Sequence, residues 1–91
     1  MKEIVLVYAP DISGSLDSVI EGLRMYDYAR EDIQRRYDGI ECNITCQFKH
    51  IHVSIRGDEG RIDYAVDSYK SMMGNPIGTN YNNLYTIKRS E

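Results

Sequence analysis

Residues 49–70 read KHIHVSIRGDEGRIDYAVDSYK, and the spacing of the apolar residues changes halfway along this stretch. The first part alternates polar and apolar residues, which is typical of a strand with one buried face. After Gly57 and Asp58 the apolar residues recur every three or four positions, which predicts a helix that Gly74 and Pro76 end. The predicted inner stripe of this helix consists of Ile62, Ala65, Val66, Tyr69 and either Met72 or Met73. The stretch therefore predicts a strand followed directly by a helix.

The preceding segment, IECNITC at residues 40–46, alternates in the same way and predicts an antiparallel hairpin with residues 50–55. The apolar residues of the second strand must face the core, and this requirement fixes the hairpin register. The predicted pairs are Cys46 with Ile51, Ile44 with Val53, and Cys42 with Ile55. In this register both cysteines face the core as buried thiols, whereas His50 and His52 face the opposite side of the sheet.

The N-terminal third of the chain predicts another strand and a long helix. EIVLVYA, residues 3–9, is a continuous apolar run rich in β-branched residues, which favours a central strand covered on both faces. From Leu16 to Tyr37 the apolar residues follow helical spacing, and Asp38 and Gly39 end the helix. The predicted inner stripe consists of Leu16, Val19, Ile20, Leu23, Tyr26, Ala29, Ile33 and Tyr37.

LYTIK, residues 84–88, is predicted as the last strand, after an irregular connection at residues 74–83. The resulting order of strand, helix, strand, strand, helix, strand resembles the ferredoxin-like fold. This resemblance implies an α+β domain spanning residues 1–91, in which two helices cover one face of a four-stranded antiparallel sheet. Many unrelated functions use this fold, so the fold alone does not identify one.

The length and charge of the chain exclude some classes of function. Ninety-one residues allow one hydrophobic core. The formal net charge of −3 argues against a protein that holds DNA or RNA mainly through charge. The apolar run near the N-terminus, IVLVYA at residues 4–9, is too short for a signal peptide or a membrane span. We therefore expect a single-domain protein in the cytosol.

Cys42, Cys46, His50 and His52 are four potential zinc ligands close together in the sequence. The predicted register separates them, because it directs the cysteines and the histidines to opposite faces of the sheet. Their C-x3-C spacing also differs from the C-x2-C knuckle of common zinc sites. The sequence contains no glycine-rich phosphate loop, nucleophile elbow or HExxH motif. We therefore predict a protein without a catalytic site, a bound metal or a cofactor.

The sheet face opposite the helices favours an alternative function. It is predicted to carry Asn43, Thr45, His50, His52 and Ser54. RNA-recognition-motif domains resemble this chain in element order, and they stack bases at positions that would correspond to His50 and His52. The sequence HVSI at residues 52–55 is similar to one of the paired motifs of two-histidine phosphoesterases, and Asp11 lies near an aspartate position of small ferredoxin-like CRISPR-associated nucleases. These resemblances imply a small nucleic-acid-binding or nuclease module that uses Asp11, His50 and His52.

Glu59, Asp63 and Asp67, which we call the acidic row, recur every four residues on the helix face opposite Ile62 and Val66. A solvated helix face explains this row without any function, although like charges at this spacing cost roughly a few tenths of a kcal/mol each. Alternatively, the row imitates the phosphates of a nucleic acid. One DNA strand carries a charge every 3.4 Å, against about 6 Å along the row, so mimicry would require both helices or two subunits.

The first helix supplies a second acidic patch, formed by Asp17 and Glu21. The C-terminal half of this helix is predicted to neutralise itself through the pairs Glu31–Arg35 and Asp32–Arg36. Exposed tyrosines on both helices complete the candidate surface. The candidate partner-binding residues are Asp17, Glu21, Tyr28, Glu59, Asp63, Tyr64 and Asp67.

In size, acidity and small α+β layout, the chain resembles phage-encoded DNA-mimic inhibitors, the class of the Arn-like anti-restriction proteins. This resemblance implies a non-enzymatic inhibitor, in the host cytoplasm, of a basic nucleic-acid-binding protein. A homodimer is also expected, because the first strand is apolar on both faces and the fold covers one of them with helices. The uncovered set is either Val5 with Val7 or Ile4 with Leu6 and Tyr8.

Overall fold

The computed structural model describes residues 1–10, 16–47 and 49–83. The strands and helices follow one another in the predicted order: β1 (Lys2–Tyr8), α1 (Leu16–Arg36), β2 (Glu41–Gln47), β3 (His50–Gly57), α2 (Glu59–Met73) and β4 (Gly78–Asn83). The strands form one antiparallel sheet in the order β2-β3-β1-β4. The α+β architecture is therefore confirmed, and its strand order is consistent with the ferredoxin-like arrangement.

The hairpin of β2 and β3 has the predicted register, including the pairs Cys46–Ile51 and Cys42–Ile55. Cys42 is fully buried, as expected, but the prediction that Cys46 is buried is wrong. β2 is an edge strand, and its residues become exposed toward Gln47. Helix α1 covers the start of β2, where the side-chain oxygen of Gln34 accepts a 3.0 Å hydrogen bond from the Cys42 amide. A residue whose register places it on the core side of the sheet can therefore still be exposed, if it lies at the far end of an edge strand.

Strand β1 lies between β3 and β4, so its predicted central position is confirmed. Within the described residues, helices cover only one of its two faces. Ile4, Leu6 and Tyr8 are buried against the helices, whereas Val5 and Val7 are half-buried on the other face. Among the described residues, no helix lies over that face, which we call the open sheet face. Neighbouring strands shield the two valines only from the sides.

Strand β4 begins earlier than predicted, because GTNYNN forms a strand where an irregular connection was expected. Its pairing with β1 includes Thr79 opposite Leu6 and Tyr81 opposite Ile4. This edge strand has almost no apolar alternation, so its backbone hydrogen bonds hold it in place while its sequence pattern gives little signal. The predicted strand at residues 84–88 lies outside the described residues.

Helix α1 begins at Leu16, as predicted, and ends at Arg36, one residue earlier than predicted. Ala29 and Ile33 of the inner stripe are buried. Ile20 was also predicted on that stripe, but 42% of its surface is exposed. A helix of 21 residues is about 31 Å long, whereas a strand of seven residues spans about 23 Å. Helix α1 is therefore longer than the strand, and the exposed Ile20 lies near its N-terminal end.

Helix α2 begins after Asp58 and ends at Gly74, where a φ of 87° requires glycine. Its predicted inner residues Ile62, Ala65, Val66 and Tyr69 are all buried. Of the two candidate methionines, Met73 packs against the core, and Met72 remains 39% exposed. The outer face of α2 is thus free to carry the acidic row.

Three tyrosines join the sheet to the two helices. The Tyr8 hydroxyl donates a 2.9 Å hydrogen bond to the Gly74 carbonyl, and the Tyr69 hydroxyl donates one of 3.0 Å to the Tyr26 carbonyl. The Tyr8 ring contacts those of Tyr26 and Tyr69, with centroids 5.3 and 6.0 Å apart. Burial raises the pKa of Tyr8 to about 12 and raises that of Tyr69 further. These contacts fix α1 and α2 relative to each other.

Candidate protein-binding surface

The acidic row lies on the outer face of α2. The side chains of Glu59, Asp63 and Asp67 are exposed, and no basic side chain of the described residues lies within ion-pair distance of them. Arg61, on the same helix, donates a 2.9 Å hydrogen bond to the Asp38 carbonyl instead. Lys70 forms no ion pair with Asp67 in the described part of the chain. The row therefore presents three carboxylates that this surface does not neutralise.

Helix α1 differs, because its carboxylates pair with arginines along the helix. The predicted Asp32–Arg36 pair is confirmed at 3.1 Å, but the predicted Glu31–Arg35 pair is wrong. Arg35 instead lies 3.0 Å from Asp32, since residues three apart on a helix also lie side by side. The remaining pairs on α1 are Glu21–Arg24, Asp27–Arg30 and Arg30–Glu31. The C-terminal half of α1 is thus neutralised, as predicted.

The second acidic patch of Asp17 and Glu21 is weaker than predicted. Arg24 lies 3.8 Å from Glu21, and both side chains are mostly exposed, so this is a loose and solvent-screened pair. Asp17 belongs to α1, but its side chain lies outside the described residues. Of the two helices, α2 is therefore the one whose described carboxylates are unpaired.

The two tyrosines predicted for the surface are both exposed, Tyr28 by 66% and Tyr64 by 68%. Tyr28 lines a groove of about 520 Å³ between α1 and α2, together with Met25 and Met72. Tyr64 lines a second groove of about 330 Å³ between the same helices, together with Asp67 and Met72. Met72 thus lies where the two grooves meet, and we call them together the interhelical groove. Asp67 belongs both to this groove and to the acidic row.

The sequence predictions do not include Met25 or Met72 as site residues. Met25 is 58% exposed, and it falls between the inner-stripe positions Leu23 and Tyr26. An apolar residue off the stripe of an amphipathic helix is itself a sequence signal for a second contact surface. For Met72, sequence spacing could not distinguish it from Met73, and only the packing of α2 on the sheet decides which one faces outward.

The open sheet face carries the alternative site. His50 is exposed and lies opposite Gln47, whereas half-buried His52 lies between Val7 and Thr45. Within the described residues, neither imidazole hydrogen-bonds to a carboxylate that could assist it as an acid or base. Asp11, the third residue of this alternative, lies outside the described residues. The face is therefore a polar surface with two histidines and no assembled catalytic pair among the described groups.

The four potential zinc ligands are divided between the two faces of the sheet, as the register requires. Burial raises the pKa of the Cys42 thiol to about 12, and nearby Arg30 only partly opposes this effect. Cys42 therefore remains a neutral thiol at physiological pH, whereas metal binding and nucleophilic attack require a thiolate. The described residues contain no group of three or more histidine, cysteine or carboxylate side chains arranged to hold a metal ion.

No family model matches the chain, and no curated protein shows significant similarity to it. Neither described helix combines the length and hydrophobicity needed to cross a membrane.

Proposed function

We propose that this chain is a non-enzymatic binding protein, which uses the outer surface of its two helices to occupy a basic, nucleic-acid-binding surface of a protein partner. The observation that carries this proposal is the unpaired state of the acidic row beside helix α1, whose described carboxylates all pair with arginines. Three like charges at four-residue spacing work against helix stability. A partner that supplies positive charge would relieve this repulsion, which gives the three carboxylates a role in binding.

The exposed tyrosines support a contact with a surface that normally binds nucleic acid. Tyr28 and Tyr64 offer flat aromatic rings next to carboxylates, a combination that resembles bases next to phosphates. Arginine side chains stack on aromatic rings and also pair with carboxylates, so a surface rich in arginine could use both groups. Such a partner would be blocked from its nucleic acid while this protein is bound. The protein would then act as an inhibitor or regulator, in the cytosol.

The proposal predicts a strong dependence of binding on salt. Carboxylates that remain near solvent contribute mainly to the rate of association, and added salt screens them. The association rate constant should therefore fall as the ionic strength rises, with a smaller change in the dissociation rate constant. The Glu59→Lys, Asp63→Lys double variant should bind more slowly than the wild type at low salt.

A pull-down from a nuclease-treated lysate tests the proposal. The wild-type protein is expected to capture a basic protein, and the Glu59→Lys, Asp63→Lys variant is expected to lose it. Asp38→Lys with Glu41→Lys is the charge-matched control, because it makes the same charge change at two exposed positions that do not belong to the acidic row. Circular dichroism should show that all three proteins are folded. Capture of the same partner by the row variant would rule the proposal out.

The purified protein also allows a test that distinguishes the proposed function from the alternative one. If the protein is instead a nucleic-acid-binding or nuclease module, it should bind single- or double-stranded nucleic acid directly. His50→Ala with His52→Ala should then abolish that binding, and reversal of the acidic row should leave it intact or strengthen it. Under the proposed function the histidine variant should retain partner capture.

A further inference from the structure

The interhelical groove adds an apolar component to the acidic surface of α2. Met25 and Tyr28 on α1 line one part of the groove with Met72 on α2, and Tyr64 and Met72 line the other part. All four side chains are substantially exposed. Methionine is flexible and polarisable, so a groove lined with it can adapt to an inserted apolar side chain. The groove and the acidic row share Asp67, so a single partner element could contact both.

An α-helix fits this surface better than an extended segment does. The acidic row repeats about every 6 Å along α2, which equals the rise between every fourth residue of a second helix lying alongside. An extended segment could place side chains at a similar interval, but its backbone groups would then need hydrogen-bond partners. A groove between two helices offers no free strand edge to supply them. A helix satisfies its own backbone hydrogen bonds and can bury one apolar face in such a groove.

The charges on the surface select the partner's chemistry. Arg35 and Arg36 also line the groove, but both pair with Asp32. Asp67 is the unpaired carboxylate among the described lining residues, and Asp63 and Glu59 continue the acidic row along α2 beyond the groove. A second copy of this chain that docked through the same α2 face would bring two acidic rows together and repel. A helix with basic side chains along one edge would neutralise the row.

From this geometry we infer that the interhelical groove receives one basic amphipathic α-helix of the partner. The helix inserts an apolar side chain beside Met72 and aligns lysine or arginine side chains along Glu59, Asp63 and Asp67. This inference rests on the proposed function, because it uses the same acidic row and names the kind of element that the partner contributes.

The test uses a synthetic helical peptide with leucines on one face and lysines at every fourth position along the edge of that face. A scrambled peptide of the same composition has equal charge but no apolar face. Isothermal titration should show that the wild-type protein binds the amphipathic peptide about tenfold or more tightly than the scrambled one. Chemical shift changes in NMR spectra should cluster on α1 and α2, around the interhelical groove.

Protein variants separate the groove from the charge. Met25→Ser with Met72→Ser should weaken peptide binding about tenfold, whereas Ile77→Ser should not change it. Ile77 is the matched control, because it is 65% exposed and does not line the groove. Asp63→Asn with Asp67→Asn should weaken binding by a similar factor and reduce its salt dependence.

Two results would overturn the inference: equal binding of the scrambled peptide, or unchanged affinity in the double methionine variant. The pull-down distinguishes this failure from failure of the proposed function. If partner capture still requires the acidic row while the amphipathic peptide does not bind the groove, only the helix-in-groove inference is wrong. If capture does not require the row, the proposed function is wrong, whatever the peptide does.

Discussion

The hydroxyl of Tyr69 on α2 donates a 3.0 Å hydrogen bond to the backbone carbonyl of Tyr26 on α1. A second contact, 2.5 Å long, joins the hydroxyl of Tyr37, one residue beyond the end of α1, to the hydroxyl of Ser68 on α2. Tyr37 and Ser68 also line the interhelical groove, so this second contact lies at its wall. Both contacts therefore stabilise the packing of α2 against α1 and the residue that follows it.

Tyr69→Phe should lower the free energy of unfolding by about 1 kcal/mol, because it removes this buried hydrogen bond while keeping the ring. Tyr64→Phe is the control, since that ring is mostly exposed and its hydroxyl forms no hydrogen bond with the described residues. Urea denaturation of both variants measures the difference. Equal stability of the two variants would show that the Tyr69 hydroxyl does not stabilise the fold.

The stability of the protein should fall steeply in alkaline solution. Burial raises the pKa of Cys42 from 9.0 and that of Tyr8 from 10.0, each to about 12. Between the ordinary pKa of each group and its raised pKa of about 12, the native state binds more protons than the unfolded state. The free energy of unfolding therefore decreases as pH rises through this range. The stabilisation is fully present below about pH 9 and is lost by about pH 12.

Urea denaturation at neutral pH and at several points between pH 9 and 12 measures this dependence. Cys42→Ala should lower the stability at neutral pH, because it leaves a cavity in the core, but its alkaline slope should be shallower than that of the wild type. An unchanged slope in this variant would contradict the raised pKa of Cys42.

The two thiols should react at very different rates with a thiol reagent. Cys46 is exposed and should react fast in the native protein, whereas Cys42 is buried and should react only as the protein unfolds. Cys46→Ser should remove the fast phase, and Cys42→Ser should retain it. Two fast phases of equal amplitude in the wild type would contradict the burial of Cys42.

Replacing a carboxylate of the acidic row should stabilise the fold while weakening partner binding. Asp63→Asn removes two like-charge contacts, with Glu59 and Asp67, and should raise the free energy of unfolding by a few tenths of a kcal/mol. Asp32→Asn is the control on α1, where it removes the ion pairs with Arg35 and Arg36 and should lower stability by roughly 0.5 kcal/mol. Thermal denaturation at low salt measures both changes. A loss of stability in Asp63→Asn would indicate a structural role for that carboxylate.

The homodimer stays a prediction, and the open sheet face is the surface to test. Val5 and Val7 are half-buried there, with polar His52 and Asn80 on the neighbouring strands. Sedimentation should give about twice the 10.5 kDa chain mass at tens of micromolar, and Val5→Lys should shift it toward the monomer. Ile77→Lys, at an exposed apolar position outside this face, is the matched control. A monomer for the wild-type protein would contradict the prediction.

Local sequence patterns were sufficient to predict most of the strands and helices. The change of apolar spacing around Gly57 located the start of α2, and the apolar residues of β3 fixed the register that places Cys42 opposite Ile55. These predictions succeed because side chains alternate along a strand and recur every 3.6 residues along a helix, and burial imposes both patterns on the sequence. The exposed position of the acidic row follows from the same geometry.

Only the tertiary structure decided which residues of a predicted face are covered. Cys46 and Ile20 have core-side spacing, yet both are exposed: Cys46 lies toward the end of an edge strand, and Ile20 lies near the N-terminal end of α1. Strand β4 pairs through its backbone, so its side chains did not reveal it. The interhelical groove likewise depends on how α1 and α2 pack together. Spacing along α2 did not distinguish Met72 from Met73, and the packing of the helices decided that Met72 lies in the groove.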